Sequence, residues 1–357
     1  MIELRCDSVK GPALVLAFCC LLGCAEGTPP EHMAGEVFGT SWSLTYFDAP
    51  DGVSASTVRS EIESVFALIN GNMNHYDAQS VIGQFNRLAA DIPVEVDWDF
   101  AYVLTTALEL GAKTGGAYDV TVSPLSDLWG FGPDGPRAMP SQEQIDEARS
   151  SVGSQLLEWD PPTRLLSKRR QGVKLDFSSL AKGYAIDLAA DALQELDVPN
   201  FMLEVGGEVR VSGVSPRGDY WRIAVERPEP GSRGSVQAAL AVTDTAIATS
   251  GDYRNYFEHE GRRYSHLIDP RSGFPIEHDV VSVTVVHGSA MMADAWATAL
   301  TVLGGDTAMT LAREQDLAVY LLRRKDSGLV AESSPAMRQW LTGESADRSL
   351  TTRRNES

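Results

Sequence analysis

The stretch SAMMADAWATALTVLG (289–304) is small and apolar except where Asp294 stands, with Thr298 four residues on. Residues four apart share one face of a helix, so this carboxylate and hydroxyl point the same way. Both are hard oxygen donors. They suit Mg2+, which keeps several waters and takes one or two protein ligands beside phosphate oxygens. A carboxylate in apolar surroundings is destabilising unless something pairs with it. A second reading therefore stands beside the first: Asp294 sits in the opening turn of the helix, favoured by the helix dipole.

Four further segments put ligand-binding residue types into apolar surroundings. NHYDAQSVIGQFN (74–86) is a helix exit carrying Tyr76 and Asp77. In GGAYDVTVSPLSDLWGFGP (115–133), Gly115 and Gly116 let the backbone come close to a partner, Tyr118 offers a ring for stacking, Asp119 an acceptor and LWGFG a compact aromatic wall; the segment also fits a plain helix–strand corner. LDFSSLAKGYAIDLAADAL (175–193) reads as strand, turn and helix, with Asp176, Ser178 and Ser179 at the helix start. Those three are natural N-caps, but a helix start also binds phosphate through its free N–H groups. Lys182, one of six lysines, would add a point charge there. In YSHLIDPRSG, His266 stands just before a D-P-x-S-G turn, either packed as a structural residue or placed to act as a general base.

Several elements must hold these groups. Val58, Ile62, Val65 and Ile69 give STVRSEIESVFALINGNMNHY a helical apolar face. DFAYVLTTALELGAKTGG is a second helix ending on glycines, and AKGYAIDLAADALQEL a third. NFMLEVGGEVRVSG, YWRIAVERP, VQAALAVTDTAIATSG and VVSVTVVHG read as strands. Helices bracket runs of strands without regular βα alternation, which predicts an α+β fold.

Composition narrows the function. The chain has 357 residues, 43% hydrophobic and 22% charged, with a formal net charge of −19. No basic run is present, so a nucleic-acid partner is not expected; a single nucleotide needs only local donors. GxxxxGK[ST], HExxH and GxSxG are missing from the sequence. The four cysteines (Cys6, Cys19, Cys20, Cys24) fall in the first 24 residues. That region reads as a secretory signal whose apolar core is too short to span a bilayer. LLGC (21–24) looks like a lipobox, which implies cleavage before a lipidated Cys24; an ordinary signal peptide is the alternative. Cut at Cys24, the chain has no internal disulfide and no cysteine nucleophile or metal site. The expected organisation is a signal peptide over 1–23, a tether over 24–35, one domain over 36–340 and a disordered tail over 341–357.

Taken together, these segments resemble the ApbE family, the FAD:protein FMN transferases. GAYDVTVSPLSDLWGFGP, LDFSSLAKGYAIDLAADAL, EVGGEVRVSG, AIATSGDYRNYF, YSHLIDPRSGFPIEH and ADAWATALTVLG follow one another in the family's order and spacing, from VFGTSW (37–42) to about LAVYLL (317–322). The resemblance implies mixed sheets with flanking helices and an FAD site in a cleft between two subdomains. It implies an Mg2+-dependent enzyme that splits FAD, attaches the FMN half through a phosphoester to a Thr hydroxyl of a flavoprotein, and releases AMP. Acceptors in such families include subunits of membrane redox complexes, the sodium-pumping NADH:quinone reductase and Rnf types. A lipid-anchored enzyme on the periplasmic face of the inner membrane is consistent with those targets.

Carried onto this chain, the metal ligands fall on Ser179, Asp294 and Thr298, and the general base on His266. FAD contacts fall on Phe38, Tyr76, Ala117, Tyr118, Asp119, Asp176, Lys182 and Ile268. Some relatives have a second Asp where this chain has Ala297, and many have Met at the Phe38 position. One Mg2+ held by few side chains is therefore the expectation. Two other functions need the same pocket: a periplasmic FAD pyrophosphatase, and a non-catalytic FAD-binding lipoprotein.

Overall fold

The computed structural model describes residues 29–132, 135, 139–228, 235–251, 256–326 and 328–342. In chain order the strands β1 (Glu31–Val37) and β2 (Thr40–Phe47) precede α1 (Ala55–Met73) and α2 (Val81–Arg87). β3 (Val94–Glu95) leads into α3 (Trp98–Lys113), α4 (Ser123–Leu128) and α5 (Gln142–Arg149). β4 (Leu157–Asp160) and β5 (Leu165–Lys168) come before α6 (Ala181–Glu195). Then follow β6 (Asn200–Val205), β7 (Glu208–Ser212), β8 (Trp221–Glu226), β9 (Val236–Val242) and β10 (Thr245–Gly251). β11 (Tyr256–His259), β12 (Arg262–Ser265), β13 (Ile268–Asp269) and β14 (Phe274–Pro275) are short. β15 (Val280–His287), α7 (Ala290–Leu303), α8 (Gly305–Glu314), β16 (Ala318–Lys325) and β17 (Gly328–Ser333) complete the order.

Eight strands form one antiparallel sheet in the order β1-β2-β6-β7-β10-β15-β16-β17. The α+β expectation holds. Both faces of the sheet are covered, which explains why VVSVTVVHG is almost continuously apolar instead of alternating. On one face Leu44, Leu203, Ala246, Val283 and Val285 pack with Ile62, Phe66, Ile186 and Leu300 from the helices α1, α6 and α7. On the other, Val209, Val211, Ile247, Val286 and Leu322 meet Trp221, Leu240 and Val242 from the β8–β9 hairpin. A smaller body, built from α4, α5 and the short hairpins, has its own core of Leu125, Trp129, Ile145, Val152 and Ile268. The LWGFG wall belongs here, with the Trp129 indole donating to Gly273 O at 2.9 Å.

Two expected boundaries move. Residues 31–35, assigned to the tether, form the first part of β1 and pair with β2. The tail does not begin at 341: Leu341 bridges to Leu240, and Thr342 N–H donates to Ala239 O at 3.0 Å. The signal segment 1–23, Cys24 and the rest of the tail lie outside the described residues. Among the described residues no helix is long and apolar enough to cross a membrane.

The contact between α6 and α7 fixes the distance across the site. At Gly183 an added Cβ would stand 2.5 Å from Ala290 O and 2.6 Å from the Met291 Cα, both backbone atoms. Only glycine lets the two helices approach this closely. Gly183→Ala is expected to destabilise the fold by about 1–3 kcal/mol, because rigid backbone must separate to admit the methyl. Urea unfolding should show a lower midpoint with an unchanged slope.

Candidate functional site

The α7 helix decides between the two readings of Asp294. Its N-cap is Ser289, whose hydroxyl oxygen accepts from Met292 N–H. Asp187, reaching over from α6, accepts from Ala290 N–H at 2.8 Å, Met291 N–H at 3.1 Å and the Ser289 hydroxyl at 2.6 Å. Arg210 closes on that carboxylate at 3.1 Å. The capping positions are thus filled, and Asp294 lies one turn further in, only 6% exposed. It is not a cap. Thr298 follows on the same face and lines the same cleft. The Thr301 hydroxyl turns back onto Ala297 O at 2.7 Å, as helical Thr often does. Thr298 makes no such bond to any described residue, so its oxygen is available to a ligand.

Opposite Asp294 stands Lys182, placed by the second residue of α6. Its ammonium lies 3.2 Å from an Asp294 oxygen, 3.2 Å from Glu208 Oε1 and 3.2 Å from Ser178 O. Burial disfavours the charge, but Asp294 and Glu208 outweigh it and hold the Lys182 pKa above its ordinary value. Glu208 opens β7 directly after a two-residue turn, Gly206–Gly207, in which both residues have positive φ (61° and 106°). That is the backbone a tight hairpin requires. Strand alternation sends Val209 and Val211 to the far core and keeps Glu208 and Arg210 on the helix side. Glu208 is 7% exposed. Burial pushes its carboxyl up to about 7, against the pull of Lys182. Its second oxygen, Oε2, is buried with no hydrogen-bond partner.

The segment entering α6 is uncapped: its N-cap position is Leu180, with no side-chain bond. Asp176 instead closes an Asx-turn, accepting from Ser178 N–H at 2.8 Å, and lies 3.3 Å from His75 Nδ1. Ser179 and Tyr118 share a hydroxyl–hydroxyl bond of 2.8 Å. Tyr118 is 4% exposed, and burial raises its pKa, with the Ser179 bond working the other way. Asp119 also works locally: it accepts from Thr121 N–H and Ser154 N–H, tying the turn to the smaller body.

Many of these residues line two adjoining cavities. The first, of about 360 Å3, lies between the helix layer and the smaller body. It is lined by Ala117, Tyr118, Asp119, Asp176, Ser179, Lys182, Glu208, His266, Ile268, Asp294 and Thr298, among others. The second, of about 560 Å3, is lined by Phe38, His75 and Tyr76 and shares Ser178 and Lys182 with the first. The expected metal, FAD and base residues therefore line these two adjoining cavities, Phe38 and Tyr76 in the second and His266 and Ile268 in the first, whereas Asp77 lines neither and accepts from Gln79 N–H. Phe38 occupies the β1–β2 turn at φ 51°, a strained conformation for a bulky side chain, and its ring meets Phe66 edge-on. His266 packs edge-on to Phe131.

Glu208 and His75 carry no site signal in the sequence. Glu208 is discoverable only as a carboxylate directly after a Gly-Gly turn in an otherwise apolar hairpin. His75 adjoins Tyr76, against which its ring packs at 4.1 Å between centroids. Among the described residues no group of three or more His, Cys, Asp or Glu is arranged to enclose a metal. The donor set facing the cleft is one carboxylate, Asp294, and two hydroxyls, Thr298 and Ser179. This fits a hard cation held mainly by water and phosphate oxygens, and does not fit an all-protein cage.

The ApbE family model matches residues 38–321. The chain is 38% identical over 338 residues to the FAD:protein FMN transferase of Haemophilus influenzae, covering 93% of this chain and 97% of that protein. It is 38% identical over 323 residues to the Vibrio cholerae protein of the same name, covering 90% and 96%. The fold superposes on the solved flavin transferase ApbE from Vibrio cholerae with a TM-score of 0.82 at 37% identity, over 88% of this chain and 100% of that one. The apo flavinyl transferase ApbE of Pseudomonas stutzeri gives 0.81 at 35% identity, over 89% and 98%.

Proposed function

The chain belongs to the ApbE family, and from that premise we propose that it is an Mg2+-dependent FAD:protein FMN transferase acting on a Thr hydroxyl of a flavoprotein. The observation that carries this reading is the meeting, in one cleft, of Asp294 and Thr298 oxygens with the Lys182 ammonium beside an uncapped helix start. Such a constellation suits a diphosphate and its cation. Phosphoryl transfer needs no protein nucleophile when the acceptor brings its own hydroxyl.

Asp294 and Thr298 would hold the Mg2+, with Ser179 beside them. When bound, the cation offsets diphosphate charge and stabilises the leaving oxygen. Lys182 adds a positive charge to the same region. Phe38 and Tyr76 line the wider cavity, where a flat ring system fits. His266 takes the proton from the acceptor hydroxyl as its oxygen forms the new bond to the FMN phosphorus. The bridging P–O bond breaks, and AMP departs with the bridging oxygen. In a protein of net charge −19 these local cations let the site accept an anionic substrate.

The signal-like N-terminus supports an enzyme lipidated at Cys24 and held at the periplasmic face of the inner membrane. Flavoprotein subunits of membrane redox complexes, of the sodium-pumping NADH:quinone reductase and Rnf types, are then the acceptors. Incubation with FAD, Mg2+ and a purified acceptor domain should add one FMN to the acceptor, read by intact mass. Free FMN with an unmodified acceptor would make the protein a pyrophosphatase instead. Intact FAD throughout would leave only flavin binding.

A further inference from the structure

Among the described residues, Glu208 is the one buried carboxylate in the cleft with an oxygen that nothing satisfies, and its other oxygen holds Lys182. The ammonium is shared evenly, 3.2 Å from Glu208 and 3.2 Å from Asp294. We infer that Glu208 is a positioning residue that sets the divalent-cation affinity of the site by keeping Lys182 from occupying Asp294. This rests on the proposed Mg2+ reading and deepens it.

The argument is one of competition. An ammonium and a divalent cation cannot both use the same Asp294 oxygens at full strength. Whichever binds must displace or loosen the other. Lys182 is attached one residue before Gly183, where α6 touches the backbone of α7, so it cannot withdraw far from Asp294. Its stem is about a quarter exposed (26%), so moving wholly into water is not its nearest alternative. Glu208 supplies that alternative inside the cleft. When the cation takes Asp294, the ammonium passes to Glu208, whose orphaned Oε2 gives it a second acceptor oxygen. A buried Lys is far less costly with a partner than alone. With Gln at 208 the charge of that partner is gone, and the ammonium is left to contest Asp294.

This differs from a simple loss of negative charge near the metal. If Glu208 acted only through its charge, removing Lys182 would strengthen cation binding equally whether or not Glu208 is present. Competition through Lys182 makes the two substitutions interdependent.

The test is Mn2+ affinity of the FAD-free protein, measured by electron paramagnetic resonance or calorimetry, with thermal melting to confirm folding. Glu208→Gln is expected to weaken Mn2+ binding by about tenfold, the scale of one lost second partner of a metal ligand. Lys182→Met should strengthen binding by about tenfold in the Glu208→Gln background and by roughly twofold or less in the native one. Equal effects of Lys182→Met in both backgrounds, or native affinity in Glu208→Gln, would overturn the inference. Asp294→Ala serves as the control. If native protein binds Mn2+ no better than Asp294→Ala does, it is the metal-site reading that fails, and not the role of Glu208 alone.

Discussion

Asp294→Ala is expected to lower FMN transfer by about 1000-fold or more while leaving the protein folded, because phosphoryl transfer draws most of its acceleration from positioning and charge neutralisation. The two halves of that expectation have separate causes. Activity falls because Asp294 is the only carboxylate on the α7 face of the cleft, and Ala297 leaves no second one on that helix. Stability survives because α7 does not depend on Asp294 for its start: Ser289 and Asp187 fill the cap. Removing one partner of a buried ion pair usually costs about 3–5 kcal/mol, since a charge is stranded. Here Lys182 keeps Glu208 at 3.2 Å, so the loss should stay below about 2 kcal/mol. Turnover and Mn2+ affinity should disappear together, while the melting temperature moves by a few degrees. Near-native transfer at saturating Mg2+ would take Asp294 out of the metal site.

Much of this site was legible in the sequence because its residues interrupt strong local patterns. Asp294 stands out in an apolar helix, and Lys182 follows a strand–turn–helix junction. Periodicity placed α1, α3, α6 and α7 correctly, with Phe66 filling the face where Val65 is only half buried. What local pattern could not show was partnership. The Asp176 and Ser178 pair looked like caps, and closes a turn onto itself instead. Asp119 looked like a cleft acceptor, and is occupied by Thr121 and Ser154 N–H groups. Tyr118 looked like a stacking ring, and is buried with its hydroxyl on Ser179. Glu208 was invisible because its significance arises from α6, 26 residues earlier in the chain, and from α7, 86 residues later. Local spacing reports which residues share an element. Pairing between distant elements is set by sheet order and by the Gly183 contact, and neither is written in any short window.

The role of His266 yields the second large effect. His266→Asn is expected to reduce the rate constant of transfer by about 100- to 1000-fold, the usual contribution of a positioned general base. KM for FAD and Mn2+ affinity should change little. The imidazole is positioned by its neighbours: Ser265 and Leu267 are buried, Leu267 N–H donates to Ser265 Oγ at 3.2 Å, and Ile276 N–H ties Leu267 O at 2.9 Å. Asn keeps the polarity at that position, so the local backbone should hold. Cation binding should persist because Asp294 and Thr298 are untouched. The decisive readout is the split between parameters. A base acts on the acceptor proton only as the new P–O bond forms, so its loss lowers kcat and kcat/KM together. A residue that merely held FAD would instead raise KM. Partial restoration of the rate by added imidazole would support the base assignment. A higher KM for FAD with unchanged kcat would move His266 from proton transfer to flavin binding, and the acceptor hydroxyl would then have to lose its proton to another group in the cleft.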